Sequence, residues 1–136
     1  MSRSTPRATT TGLGRVLVAL YATFAVAAVS RAGVQIATRF HEAPLAYLLS
    51  AFAGLVYVLA TLGLAMTGER WRRMAWGACS VELVGVLTVG VLSIFDAQAF
   101  PDSTVWSGFG RGYLYIPLVL PVLGLVYLRR ESRRPR

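Results

Sequence analysis

Glu82 is a charged residue inside an otherwise apolar stretch, where a charge is costly and therefore informative. It follows the nearest arginine, Arg73, by nine residues, which is about 14 Å along a helix at about 1.5 Å per residue. An unpaired carboxyl group so deep in a bilayer is strongly destabilising, so Glu82 is expected to face protein. Its chemistry would be binding of a proton or a cation. The alternative is a structural acid that forms hydrogen bonds between helices.

Arg31 is the candidate partner of Glu82. With Gln35 and Thr38 it forms a polar stripe at spacings i, i+4 and i+7, which is expected to face protein. A direct ion pair would need helix tilt, a long reach or a bridging water, because Arg31 should lie nearer the opposite membrane surface. The alternative is that its side chain extends to that surface. The sequence thus predicts a candidate intramembrane polar site of Glu82, Arg31 and Gln35.

Patterns for other chemistry are missing from the sequence. His41 is the only histidine and Cys79 the only cysteine, which is not a metal-binding pattern and allows no internal disulfide. The chain contains no glycine-rich phosphate loop and no nucleophile paired with a base. We therefore expect no catalytic residues, no metal and no cofactor, and a protein that is not an enzyme.

The elements that must position these residues are four long apolar stretches. Hydrophobic residues make up 55% of the 136-residue chain and charged residues only 15%, against roughly 25% charged in soluble domains. The stretches are continuous rather than alternating, which favours helices over barrel strands. We predict an all-α membrane protein, a bundle of four transmembrane helices. The predicted helices span about 14–38, 44–66, 71–95 and 112–128.

The basic residues are concentrated on one side of the predicted membrane spans. All fourteen are arginine, and most precede the first span, join the second to the third, or follow the fourth. An excess of arginine in short connections marks the cytoplasmic face, so both termini are expected there, in a multi-pass protein of the bacterial cell (plasma) membrane. Arginines that flank spans argue against nucleic-acid binding. Besides setting topology, some could hold anionic lipid headgroups, and the candidates are Arg70, Arg72, Arg73, Arg129 and Arg130.

Further predictions concern the two ends of the chain and the longest connection between spans. Residues 1–13 and 129–136 are predicted to be disordered cytoplasmic tails. Basic residues before the run Val16–Ser30 also match a cleavable signal peptide, although apolar residues resume after Arg31 and favour an uncleaved span. The connection 96–111 is expected to be extracytoplasmic, with Trp106 and Phe109 anchoring it at the membrane interface.

The closing segment Val-Trp-Ser-Gly-Phe-Gly-Arg-Gly-Tyr at 105–113, which leads into Pro-Leu-Val-Leu-Pro at 117–121, completes a recognisable layout. With the arginine-only basic set and the four spans, it resembles the small, uncharacterised four-helix integral membrane proteins common in actinobacteria. The resemblance implies a four-helix membrane fold and no particular activity. Small multidrug exporters share the size and helix number, but they carry an essential glutamate in the first span, where this chain has none.

Two functions from different classes follow. The first is a non-catalytic accessory or assembly component of a larger membrane complex, which would act through its helix faces. Small residues such as Ala25, Ala28 and Ala32 are expected mainly to let the helices of the bundle pack closely, with oligomerisation as the alternative use. The alternative is a small transporter or channel that uses Glu82 with Arg31 on its polar path. Because four helices rarely enclose a pathway alone, this alternative requires a homo-oligomer.

Overall fold

The computed structural model describes residues 12–66, 68–96, 98, 104 and 106–132. These residues form helices and their connections, and no β-strand occurs among them. Three helices are long and apolar enough to cross a membrane, or four if one bent pair is a single span. The helices are α1 (Gly12–Arg39), α2 (Pro44–Ala65), α3 (Glu69–Phe95) and α4 (Ile116–Ser132), with short 3-10 segments at Phe40–Glu42 and Ser107–Tyr113. The second 3-10 segment is interrupted in the middle by left-handed residues, Gly108, Phe109 and Gly110.

The helices differ in length. α1, α2 and α3 have 28, 22 and 27 residues. They are therefore about 42, 33 and 40 Å long, which exceeds a hydrocarbon core of about 30 Å. α4 has only 17 residues, or about 26 Å. The 3-10 segment Ser107–Tyr113 precedes α4 at an angle of 99°, and the two together form the bent pair.

A proline marks the start of α2, and a glycine allows the turn between α2 and α3. Pro44 is the first residue of α2, where its missing N–H is not needed. α2 ends at Ala65, one residue earlier than predicted, and Met66 is extended. Gly68 has φ +114°, a conformation that glycine adopts readily and other residues do not. The chain therefore turns at Gly68 and enters α3 at Glu69.

The predicted start of the fourth helix at Gly112 is wrong. Leu114 and Tyr115 both have φ of 61°, in the left-handed region, so the helix cannot begin before Ile116. Pro117 then lies in the first turn, which tolerates proline. Apolar composition cannot detect this break, because Leu114 and Tyr115 are as apolar as the helix that follows.

Parts of both predicted tails are helical, so the predicted tails are too long. Gly12 and Leu13 belong to α1, and residues 129–132 belong to α4. α4 extends past the apolar stretch because arginine and glutamate are good helix formers. The rest of the predicted tails, residues 1–11 and 133–136, lies outside the described residues.

Consecutive helices pack against each other, α1 on α2, α2 on α3 and α3 on α4, while α1 and α4 touch less extensively. Small residues permit close approach, as predicted. A Cβ atom at Gly63 would lie 2.6 Å from the backbone nitrogen of Ala75, and one at Gly54 would lie 2.9 Å from a methyl group of Val29. We call the end with the two 3-10 segments the loop end, and the end with the α2–α3 turn the arginine end.

Candidate functional site

Glu82 lies at the middle of the buried face of α3 and is completely buried. That face repeats every three or four residues, which is one side of an α-helix. Its small members leave room for neighbouring helices to approach the carboxyl group. The buried face comprises Ala75, Ala78, Cys79, Glu82, Val86, Val89 and Gly90.

Tyr21 on α1 is the partner of Glu82. Its hydroxyl donates a hydrogen bond of 2.6 Å to Glu82 Oε1 and lies 3.6 Å from Cys79 Sγ. Glu82 Oε2 is buried and has no hydrogen-bond partner among the described residues. A Cβ atom at Gly124 of α4 would lie 2.7 Å from Cys79 Sγ, so three helices converge on this point. One carboxyl oxygen of Glu82 thus accepts a hydrogen bond from Tyr21, whereas the other is a buried acceptor without a partner among the described residues.

An aromatic cluster continues from Tyr21. The rings of Tyr21 and Tyr57 lie 6.1 Å apart at 50°, and Trp106 Nε1 donates a 3.0 Å hydrogen bond to the Tyr57 hydroxyl. Trp106 is only 1% exposed, so the expectation that it anchors the connection at the membrane interface is wrong. Its indole N–H donates to a buried acceptor, so the one polar atom of this large, mainly apolar side chain is hydrogen-bonded inside the protein.

Local structure around Trp106 explains its inward position. Thr104 Oγ1 accepts a 3.1 Å hydrogen bond from Trp106 N, and Ser93 Oγ on α3 accepts one of 2.8 Å from Gly108 N. A side chain at Gly85 would collide with the Trp106 ring, so glycine leaves the space that the indole fills. The 3-10 segment Ser107–Tyr113 is therefore fixed against α3.

Arg31 is exposed and lies away from Glu82. Its Nη1 donates a 2.7 Å hydrogen bond to the Tyr113 hydroxyl. Arg31 follows Tyr21 by ten residues, or about 15 Å along α1, so the helix that brings Tyr21 to Glu82 carries Arg31 toward the loop end. The structure does not bring the two predicted partners together.

The predicted polar stripe on α1 is divided between two environments. Gln35 is buried, and its Oε1 lacks a hydrogen-bond partner within the described residues. Arg31 and Thr38 are exposed, and Thr38 bonds back to the Val34 carbonyl at 2.6 Å. At about 100° per residue, Gln35 is rotated by about 40° from Arg31 and Thr38 by about 20° the other way. The expectation that the whole stripe faces protein is therefore wrong.

The candidate lipid-binding arginines lie near the arginine end. Arg72 and Arg73 both lie near Glu69 Oε2, at 3.7 and 3.5 Å, so their charges are partly compensated. Such exposed pairs contribute about 0–1 kcal/mol to stability. Arg70 is exposed, and Arg129 and Arg130 are exposed in the last turns of α4.

Tyr21 is the functional-site residue that sequence reasoning missed. Its signal was present, because Tyr21 extends the small-residue face Ala25, Ala28 and Ala32 backwards at the same helical spacing. Trp106 gave no comparable signal, since its inward position depends on a connection between helices. Within the described residues, no three His, Cys, Asp or Glu side chains converge as a metal site would require.

No family model, curated protein or solved structure matches the chain. Its helices define the class: an all-helical protein with three to four candidate membrane-spanning helices, compatible with a multi-pass membrane protein.

Proposed function

We propose that this protein is a non-catalytic accessory or assembly component of a membrane complex, and that α1 binds its partner. The supporting observation is the composition of the outward face of α1. Between residues 16 and 38 its largest exposed apolar side chains are valines, and small residues recur every three or four positions. These small exposed residues are Ala19, Thr23, Ala27, Ser30, Gly33 and Ala37.

The outward face of α2 is different. It carries large side chains suited to lipid, namely Leu45, Leu48, Phe52, Leu55 and Leu62. Helices in a bilayer associate through van der Waals contact and hydrogen bonds, which small residues permit by letting backbones approach. Only 22% of the α1 span is buried within the chain, against 44% of the α2 span. We therefore assign the contact to a transmembrane helix of another protein, packed on α1.

Site-specific photocrosslinking in native membranes tests this role. A photoreactive residue at Ala27 on α1 should give one adduct of defined mass, whose partner is identified by mass spectrometry. The matched control is the same residue at Leu55, which is 53% exposed on α2 and should react only with lipid. Equal patterns at both positions would exclude α1 as the partner-binding helix. An adduct of twice the chain mass would replace the foreign partner with a second copy.

A second variant separates partner binding from folding. A Cβ atom at Gly33 would meet nothing within 4 Å and Gly33 is exposed, so we expect Gly33→Leu to leave the packing inside the chain unchanged. On a small-residue face it would hold a partner helix away. The adduct formed from Ala27 should therefore disappear in Gly33→Leu while the variant still folds. Its persistence would count against close helix packing at this face.

The proposal includes four spans in the cell membrane and cytoplasmic termini. The arginine distribution supports this orientation. In a Cys79→Ala background, a membrane-impermeant maleimide should label Glu42→Cys in intact cells. It should label Arg70→Cys only after permeabilisation. The reverse pattern would invert the topology.

The alternative function is a small oligomeric transporter or channel that uses Glu82 with Arg31. The buried, unpartnered Oε2 of Glu82 favours that residue as a proton or cation site. In this alternative, Arg31 would line the polar path nearer the loop end, where it contacts Tyr113. Proteoliposomes under a pH gradient test the idea, with wild type compared with Glu82→Gln. Flux that is equal in both, or absent in both, would eliminate this alternative.

A further inference from the structure

A small pocket lies near the loop end, between α1, α2 and the 3-10 segment Ser107–Tyr113. It has a free volume of about 20 Å³, which is room for about one water-sized group such as a single oxygen atom of a larger ligand. It lies apart from the Glu82 carboxyl group, which does not line it. The lining residues are Phe24, Ala27, Ala28, Arg31, Ser50 and Tyr113.

The polar side chains of this pocket can all donate hydrogen bonds. Arg31 is a permanent cation, and its Nη1 uses one N–H on the Tyr113 hydroxyl. That hydroxyl accepts the bond and keeps its own proton to donate. Ser50 adds a third potential donor, and none of the described residues that line the pocket carries a carboxylate. A cation beside two hydroxyl groups is suited to an anion with several acceptor oxygens, which a phosphate group supplies.

The rest of the pocket is apolar and continues along α1. Phe24, Ala27 and Ala28 precede Arg31 by seven, four and three residues and therefore share its side of the helix. This wall extends about 10 Å from Arg31 toward the middle of the bundle. The Phe24 ring meets the Tyr113 ring edge-on, with centroids 5.7 Å apart, which holds both in place. A soluble anion would leave this wall unused.

We infer that this pocket binds the phosphate group of an anionic phospholipid, with one acyl chain along Phe24 and Ala27. Inorganic phosphate offers the same oxygens but no chain. The site lies near the loop end and is distinct from the arginines of the arginine end. It adjoins the small-residue face of α1 at Ala27, so the bound lipid would lie beside a partner helix packed on that face.

Native mass spectrometry of the full chain, released from detergent, tests the inference. Wild type should retain one phosphatidylglycerol molecule and should not retain diacylglycerol with the same chains. In Arg31→Gln, retention of phosphatidylglycerol should fall about tenfold or more, which is the loss expected when a charge-assisted hydrogen bond to the phosphate group is removed. The matched control is Arg111→Gln, which removes the same charge from another exposed position near the loop end and should retain lipid like wild type.

Tyr113→Phe provides a second variant, because it removes the hydroxyl and keeps the ring against Phe24. Its retention of phosphatidylglycerol should lie between those of wild type and Arg31→Gln. Equal retention by Arg31→Gln and Arg111→Gln would overturn the site, as would retention of diacylglycerol at the level of phosphatidylglycerol. Binding of inorganic phosphate by wild type without retention of phosphatidylglycerol would overturn the assignment to a lipid.

Discussion

Tyr21 and Tyr113 each bind an ionisable side chain, in opposite surroundings. Tyr21 donates to the fully buried carboxyl group of Glu82 between α1 and α3, whereas Tyr113 accepts from the exposed guanidinium of Arg31 near the loop end. A chain of aromatic rings joins the two regions, since Phe24 lies 5.8 Å from the Tyr57 ring and 5.7 Å from the Tyr113 ring. The two bonds are equally short, at 2.6 and 2.7 Å, so length does not distinguish them.

The difference lies in what replaces each bond when it breaks. A group at the exposed site can find water or a lipid headgroup, so loss of the Arg31–Tyr113 bond costs little. Nothing replaces the bond to Glu82 in the buried centre, where an unpaired polar atom is strongly destabilising. The buried region therefore contributes to stability, and the exposed one is better suited to binding. Four predictions test this division.

The largest effect is expected for Trp106→Ala. Trp106 fills the space above Gly85 and satisfies the Tyr57 hydroxyl, so its removal leaves a cavity and breaks a buried hydrogen bond. Truncation of a buried tryptophan costs about 3–5 kcal/mol of unfolding free energy. Titration with sodium dodecyl sulfate in mixed micelles measures it. Tyr115→Ala, at an exposed ring near the same end, is the control. A loss below that of the control would mean that Trp106 does not belong to the core.

The next largest difference in unfolding free energy is expected between Tyr21→Phe and Tyr113→Phe. These are the same substitution, made once in the buried region and once in the exposed region. Tyr21→Phe leaves the Glu82 side chain without a hydrogen bond among the described residues and should cost about 1–3 kcal/mol. Tyr113→Phe breaks an exposed contact and should cost about 0–1 kcal/mol. The same detergent titration compares both. Equal losses would remove the distinction between buried and exposed tyrosines.

Much of the fold could be predicted from the sequence, because continuous apolar runs and proline or glycine at their ends are local signals. The predicted second and third helices begin and end within two residues of α2 and α3. The break before α4 could not be predicted, since the left-handed Leu114 and Tyr115 are apolar residues of a kind found inside helices. Their conformation depends on the 3-10 segment that precedes them.

The candidate site was predictable in part. Glu82 stood out because a carboxyl group in an apolar run must be buried in protein, and it is. The partner was harder to predict, because ion-pair reasoning favoured Arg31 over an uncharged tyrosine. Spacing along the helices already placed Arg31 and Glu82 at different levels. Tyr21 lies at the level of Glu82 and donates the hydrogen bond that Arg31 does not.

A smaller effect is the coupling between Tyr21 and Glu82. Glu82→Leu removes both carboxyl oxygens, including the unpartnered Oε2, so in a Tyr21→Phe background it should restore part of the lost stability. The coupling energy from the double-mutant cycle should be about 0.6–1.7 kcal/mol, as for other hydrogen bonds between membrane helices. If Tyr21→Phe is further destabilised by Glu82→Leu, the carboxyl group contributes packing or contacts beyond this bond.

The smallest effect is the coupling between Arg31 and Glu82. The two side chains have different partners and lie about 15 Å apart along the bundle. Arg31→Ala and Glu82→Gln should therefore be additive to within about 0.3–0.5 kcal/mol in unfolding free energy. A coupling above 1 kcal/mol, as expected of a contacting pair, would mean that the protein adopts a second arrangement in which Arg31 reaches the carboxyl group. Such a result would join the two regions into one polar path and favour transport, whereas additivity leaves Glu82 with Tyr21 and Arg31 with its anion.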